Sequence, residues 1–130
     1  MKLHPDKHGA LNVVTAYEIG RIAVNGRPLT RSFLLQPAFI DEQWGPEAYA
    51  SLQSDHLLEL PRHSYDVLLI GTGLRQRFPA PALLRPLIEA GRGFEIMDTA
   101  AACRTYNILV AEGRLVLAAL ILETVEGASS

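Results

Sequence analysis

The sequence predicts an α/β fold. It is read as a compact three-layer single domain, with a mixed central sheet whose second half runs β-α-β-α-β and an N-terminal β-hairpin layer. Three observations lead there. The runs Asp66–Ile70 (DVLLI) and Arg114–Leu122 are apolar on both faces, as strands inside a covered sheet are. Two segments with helical apolar spacing lie between them, and Asn12–Gln36 alternates with period two. The chain has 130 residues, 48% of them apolar, which suits one domain with its own core.

Each element has a local reason. Val13, Thr15, Tyr17 and Ile19 share one face of an extended segment, and Gly20 marks a corner. Ile22 and Val24 follow on one face. Asn25-Gly26 then supports the positive φ angles of a tight hairpin turn. A return strand is expected from Leu29 to Leu35, at a sheet edge because Pro28 donates no hydrogen bond. Trp44-Gly45-Pro46 reads as a loop packed by its own aromatic ring. Ser54 or Asp55 is expected to cap one or two helical turns through Leu60, which Pro61 ends. The strand at Asp66 runs into Gly71-Thr72-Gly73. A helix starts near Pro81, presents Leu83, Leu84, Leu87 and Ile88, is kinked or shortened by Pro86, and stops at Gly91. Phe94–Met97 is the next strand, expected parallel to and beside the strand at Asp66. Asp98 or Thr99 caps a second helix from Ala100 to Ala111, Gly113 stops it, and Arg114–Leu122 forms a central strand of unassigned direction. The expected core is Val67, Leu68, Leu69, Ile70, Leu84, Leu87, Ile96, Leu109, Leu117 and Leu120. Residues 1–11 and 123–130 lack apolar periodicity and read as flexible tails around a domain at 12–122.

Composition excludes several function classes. The formal net charge of -2 gives no electrostatic drive toward nucleic acid or an anionic membrane, so no nucleic-acid partner is expected. A single cysteine, Cys103, excludes an internal disulfide framework and a multi-cysteine zinc site. The longest apolar run is Leu115–Leu122, far short of the roughly 20 residues of a membrane-spanning helix. The opening MKLHPDKHGA lacks the apolar stretch of a secretory signal and is too short and acidic for a transit peptide. A cytoplasmic bacterial protein is the expectation.

One crevice stands out. If the strands at Asp66 and Phe94 are parallel neighbours, their carboxyl ends bring Gly71 to Phe78 beside Asp98, Thr99 and the start of the second helix. Free N–H groups there, with Arg75 and Arg77 close by, suit a carboxylate or phosphate. The candidate ligand residues are Gly71, Thr72, Gly73, Arg75, Arg77, Asp98, Thr99, Cys103 and Asn107. The plainer reading is that the glycines turn the backbone, Asp98 and Thr99 cap the helix, and the arginines face water. A dinucleotide loop is not indicated, because position 76 is Gln where the third glycine would stand. Cys103, one turn into the helix, reads better as a buried, inert thiol than as a nucleophile. Thr105 and Asn107 are less usual inside a helix, and Asn107 needs an amide partner. His4 and His8 have i, i+4 spacing, but Pro5 argues against a helix that would use them for a metal. His-Glu-x-x-His, Gly-x-Ser-x-Gly and Cys-x-x-Cys do not occur. No catalytic residue, no metal and no cofactor is therefore expected.

Several segments together resemble a known family. They are Val67–Gly73 (VLLIGTG), Phe94–Thr99 (FEIMDT), Ala102–Asn107 (ACRTYN), Glu112-Gly113-Arg114 and Ala118-Ala119-Leu120, with Val24-Asn25-Gly26 and Ser32–Leu35 upstream. Their order resembles the domain-of-unknown-function family that includes mitochondrial complex I assembly factor 3 and the adipogenesis-associated domain protein. The resemblance covers Asn12 to Leu122. It implies a three-layer α/β domain with a mixed sheet, and it supplies no catalytic residues to transfer. The expected function is a non-enzymatic interaction module resembling a respiratory complex I assembly factor. It would have a protein partner and exist as a monomer or weak homodimer, with the hairpin and the Trp44 loop as contact surface. The alternative is an anion-binding protein or enzyme that uses the crevice.

Overall fold

The computed structural model describes residues 11–124. Three strands, β1 (Val14–Glu18), β2 (Arg21–Val24) and β3 (Arg27–Leu29), form an antiparallel sheet in the order β1-β2-β3. Asn25 and Gly26 both take positive φ at the β2–β3 turn, as that turn type demands. The second sheet contains β4 (Phe33–Gln36), β5 (Phe39–Asp41), β6 (Val67–Gly71), β7 (Phe94–Met97) and β8 (Val116–Leu120), in the order β5-β4-β8-β6-β7. β6 pairs in parallel with both β7 and β8, while β4 runs antiparallel to β8. The sheet is thus mixed, and the apolar run at Arg114 supplies its middle strand, parallel to β6.

Both faces of this sheet are covered, which explains why its strands are oily throughout. Val67, Leu69, Phe33, Leu35, Val116, Ala118 and Leu120 face α3 (Thr99–Ala111) and the small sheet. Leu68, Ile70, Leu34, Leu117 and Ala119 face the opposite layer. That layer contains α1 (Ser54–Leu58), α2 (Pro81–Ala90) and the Trp44 loop. The period-two alternation sorts each strand between two apolar cores instead of between core and water. Of the ten expected core residues, Leu84, Ile96 and Leu109 are only partly buried; the others are buried.

Four local expectations need correction. The return strand from Leu29 to Leu35 is split: β3 stops at Leu29, and β4 begins at Phe33 in the other sheet. Its corner is held from a distance. Arg31 Nη2 lies 3.2 Å from the carbonyl oxygens of Gln43, Trp44 and Gly45. The Ser32 hydroxyl donates to Pro46 O and accepts from Leu122 N at 2.9 Å. The position before α1 is Gln53, not Ser54 or Asp55; its N–H donates to His56 Nδ1 at 2.9 Å. Pro86 does not shorten α2, which continues to Ala90 with Leu87 packed in the core and Gly91 left-handed after it. The apolar residues expected to form a contact surface are turned inward: the Trp44 ring is 3% exposed, with its Nε1 donating to His56 O at 2.9 Å, and Ile22, Val24 and Leu29 of the hairpin are buried.

The expected tails fall mainly on residues 1–10 and 125–130, outside the described residues, as do His4 and His8. At the boundaries the structure departs from a loose tail. Leu11 packs against the first core, and Glu123 is 1% exposed.

Candidate functional site

β6 and β7 are parallel neighbours, so the loop after Gly71 does meet the start of α3. The approach is close. A Cβ on Gly71 would lie 2.9 Å from Thr99 Oγ1 and 3.0 Å from Thr99 Cα. Thr99 is fully buried and staples three segments. Its hydroxyl donates to Ile121 O at 2.7 Å and accepts from Gly73 N at 2.8 Å, and its own N–H donates to Gly73 O at 2.9 Å. Asp98 caps α3 by accepting from Ala101 N at 2.8 Å. Thr72, also fully buried, donates through Oγ1 to Arg75 O at 2.8 Å and accepts there from Arg77 N at 3.1 Å.

This arrangement does hold an anion, and the anion is Glu123 of the same chain. Its Oε1 accepts from Leu74 N at 3.0 Å. Its Oε2 accepts from Tyr49 N at 2.8 Å and from Arg77 Nη1 at 2.9 Å. The Arg77 side chain is 16% exposed and lies over the Tyr49 ring, 5.1 Å from its centroid. Burial pushes the Glu123 carboxyl upward. The hydrogen bonds from Arg77, Leu74 and Tyr49, with the Arg77 charge, outweigh that and hold it below the usual carboxylate range. Gly73 takes φ +102°, and a Cβ there would sit 2.2 Å from Glu123 Oε1.

The expected open anion crevice is corrected accordingly. The loop amides of Thr72, Gly73, Leu74 and Arg77 donate to Met97 O, Thr99 Oγ1, Glu123 and Thr72 Oγ1. Arg77 turns inward to Glu123, whereas Arg75 is exposed and makes no ion pair among the described residues. Cys103 and Asn107 do not line this loop.

They line a groove of ≈ 360 Å³ between α3 and β1, with Val14–Tyr17 on one wall and Ala100 and Arg104 on the other. Asn107 bridges the groove at one end: Val14 N donates to its Oδ1 at 2.9 Å, and its Nδ2 donates to Val14 O at 2.8 Å. Tyr106 ties the same helix to the segment before β1, its hydroxyl donating to Asn12 O at 2.9 Å. Burial pushes the Cys103 thiol up to about 12, against a smaller downward pull from Arg104, so it is no nucleophile at neutral pH. Burial also raises the Tyr106 and Tyr17 hydroxyls. Among the described residues, no group of three His, Cys, Asp or Glu side chains is placed to hold a metal, and no helix is long and apolar enough to cross a membrane.

Sequence reasoning missed Glu123, Tyr49 and the β1 groove. The available signal for Glu123 was its position: one carboxylate ending the apolar run Leu115–Leu122, in a chain that places two arginines just after a parallel strand.

Residues 14–121 match the family described as protein of unknown function (DUF498/DUF598). The chain belongs to that family. A solved crystal structure of a protein from Bordetella parapertussis superimposes with a TM-score of 0.79 at 42% identity, covering 87% of this chain and 97% of that one. NADH dehydrogenase (ubiquinone) 1 alpha subcomplex assembly factor 3 from Xenopus tropicalis is 37% identical over 81 residues, 61% of this chain and 44% of that protein. The 13 kDa major membrane protein of Francisella tularensis is 29% identical over 93% of this chain and 99% of that protein. The chain thus spans about half the length of the assembly-factor relatives it matches.

Proposed function

We propose that the chain is a non-enzymatic, partner-binding module that assists assembly of a membrane-associated respiratory complex, working from the cytoplasm as a monomer or weak homodimer. The observation that carries this reading is the match of this domain to complex I assembly factor 3 from several animals. The site chemistry is compatible with it. The polar groups gathered behind β6 satisfy one another, Glu123 is engaged by three donors, and burial raises the Cys103 thiol. Such a constellation fixes the loop after β6 against the segment after β8.

Deletion of the gene in its native host, followed by native-gel separation of solubilised membranes, tests the proposal. The expected result is less fully assembled NADH dehydrogenase and an accumulation of smaller subassemblies, both reversed by the intact chain. An unchanged complex, with the tagged chain never migrating beside any membrane subassembly, rules the reading out.

A further inference from the structure

We infer that the outer edge of β1 is a docking site for an extended, acidic segment of a partner protein, which adds to the small sheet as a fourth strand. The inference rests on the partner-binding reading above and says where and how the partner is held. Among the described residues, β1 is the terminal strand of its sheet, paired on one side with β2. On its other side one group completes the ladder. The Asn107 carboxamide, chemically a peptide group, exchanges two hydrogen bonds with Val14 N and O as a neighbouring strand would. Beyond Val14 that mimicry stops. Among the described residues, the backbone of residues 15–18 has no hydrogen-bond partner outside the β1–β2 pairing. An edge with unpaired N–H and C=O groups is a template for another strand unless something covers it.

The groove beside this edge has room for such a strand. Ala100 and Cys103 present small side chains on the facing helix, and Tyr17 offers a half-buried ring on the strand side. Charge selects the occupant. Arg104 is exposed on the groove wall and makes no ion pair among the described residues; Asp98, close enough to act on Tyr17 and Cys103, and the exposed Glu18 at the end of β1 are acidic groups nearby, and neither is among the described residues that line the groove. An extended segment with alternating apolar side chains and a carboxylate opposite Arg104 satisfies the edge, the small-residue wall and the cation together.

The test is a phage-displayed library of random peptides panned against the full chain. Recovered sequences are expected to alternate apolar residues and to carry Asp or Glu. Their affinity should fall about tenfold or more on Arg104→Glu, and further on Ala100→Trp, which fills the groove. Arg85→Glu, on the outer face of α2, should leave it unchanged. Hydrogen exchange should slow at residues 15–18 when a recovered peptide binds. Failure to recover any acidic peptide overturns the inference, as does equal binding to the Arg104→Glu and Ala100→Trp proteins, or protection mapping to another surface. Protection of residues 15–18 that rises with protein concentration alone assigns the edge to a second copy and overturns it too. A normal respiratory complex in the deletion strain, with peptide binding intact, sinks the assembly role and leaves the docking mode standing.

Discussion

Arg77 Nη1 lies 2.9 Å from Glu123 Oε2 across 46 residues of sequence, and the pair joins the loop after β6 to the segment after β8. Both side chains are largely withdrawn from water, at 16% and 1% exposure. A buried ion pair is weak evidence of net stabilisation, but removing one partner strands the other. Here it would strand more than Arg77, because the amides of Leu74 and Tyr49 also donate to Glu123.

Glu123→Ala should therefore cost about 3–5 kcal/mol of unfolding free energy, read by urea denaturation. Arg77→Met should cost less, since the carboxylate keeps its two amide donors. The double variant should be less damaged than the sum of the singles, because each change removes the reason the other hurts. Strict additivity in this cycle would mean that the pair is not coupled.

The same carboxylate gives stability a pH signature. Its folded-state pKa is depressed, so the unfolded state binds protons first as pH falls. The stabilisation is complete above the usual carboxylate range and disappears as pH drops through the folded-state value. Wild type and Glu123→Gln should differ most at neutral pH and converge toward acid. Parallel stability curves down to the acid limit would assign acid sensitivity to other groups.

Gly73 and Gly113 separate backbone conformation from crowding. Both take positive φ, but a Cβ on Gly113 meets nothing within 4 Å, whereas one on Gly73 meets the Glu123 carboxylate. Gly113→Ala should cost about 1 kcal/mol for the backbone alone. Gly73→Ala should cost clearly more, and the excess should vanish in a Glu123→Ala background. An excess that persists there would place the strain in the loop itself.

How much of this was legible depends on the sequence distance of the partners. β6, β7 and the stop of α2 were readable because apolar periodicity and Gly91 act within a few residues. Oily residues on both faces marked β8 as an inner strand, but its direction, and the place of β4 beside it, depend on pairings the sequence does not show. The split of the hairpin was not readable. Ser32 looks like any polar residue in a strand until Pro46 and Leu122 are brought to it from 14 and 90 residues away. Glu123 was misplaced for the same reason: its donors stand 46, 49 and 74 residues back. Asn107 shows the intermediate case. Its residue type signalled a needed partner, but Val14 is 93 residues distant.

Cys103 should resist alkylation. The thiol is 3% exposed and its pKa is pushed up to about 12, so very little thiolate exists even at mildly alkaline pH. Iodoacetamide should label the native chain far more slowly than the urea-unfolded chain, as read by intact mass. Comparable rates in the two states would place the sulfur at the groove surface.

Asn107 offers the sharpest test of how β1 is held, because its two bonds can be removed separately. Asn107→Asp keeps an acceptor for Val14 N but loses the donor to Val14 O. It also sets a carboxylate near that carbonyl oxygen. Asn107→Ala loses both bonds and should cost about 1–3 kcal/mol for the partly buried groups left unpaired. Exchange at the Val14 amide should speed up in Asn107→Ala and stay slower in Asn107→Asp, whose oxygen still accepts from it. Exchange at Leu69, inside β6, should track only global stability in both variants. If the Val14 amide exchanges at the wild-type rate in Asn107→Ala, another group protects that edge, and the carboxamide is not the clasp that positions β1 beside α3.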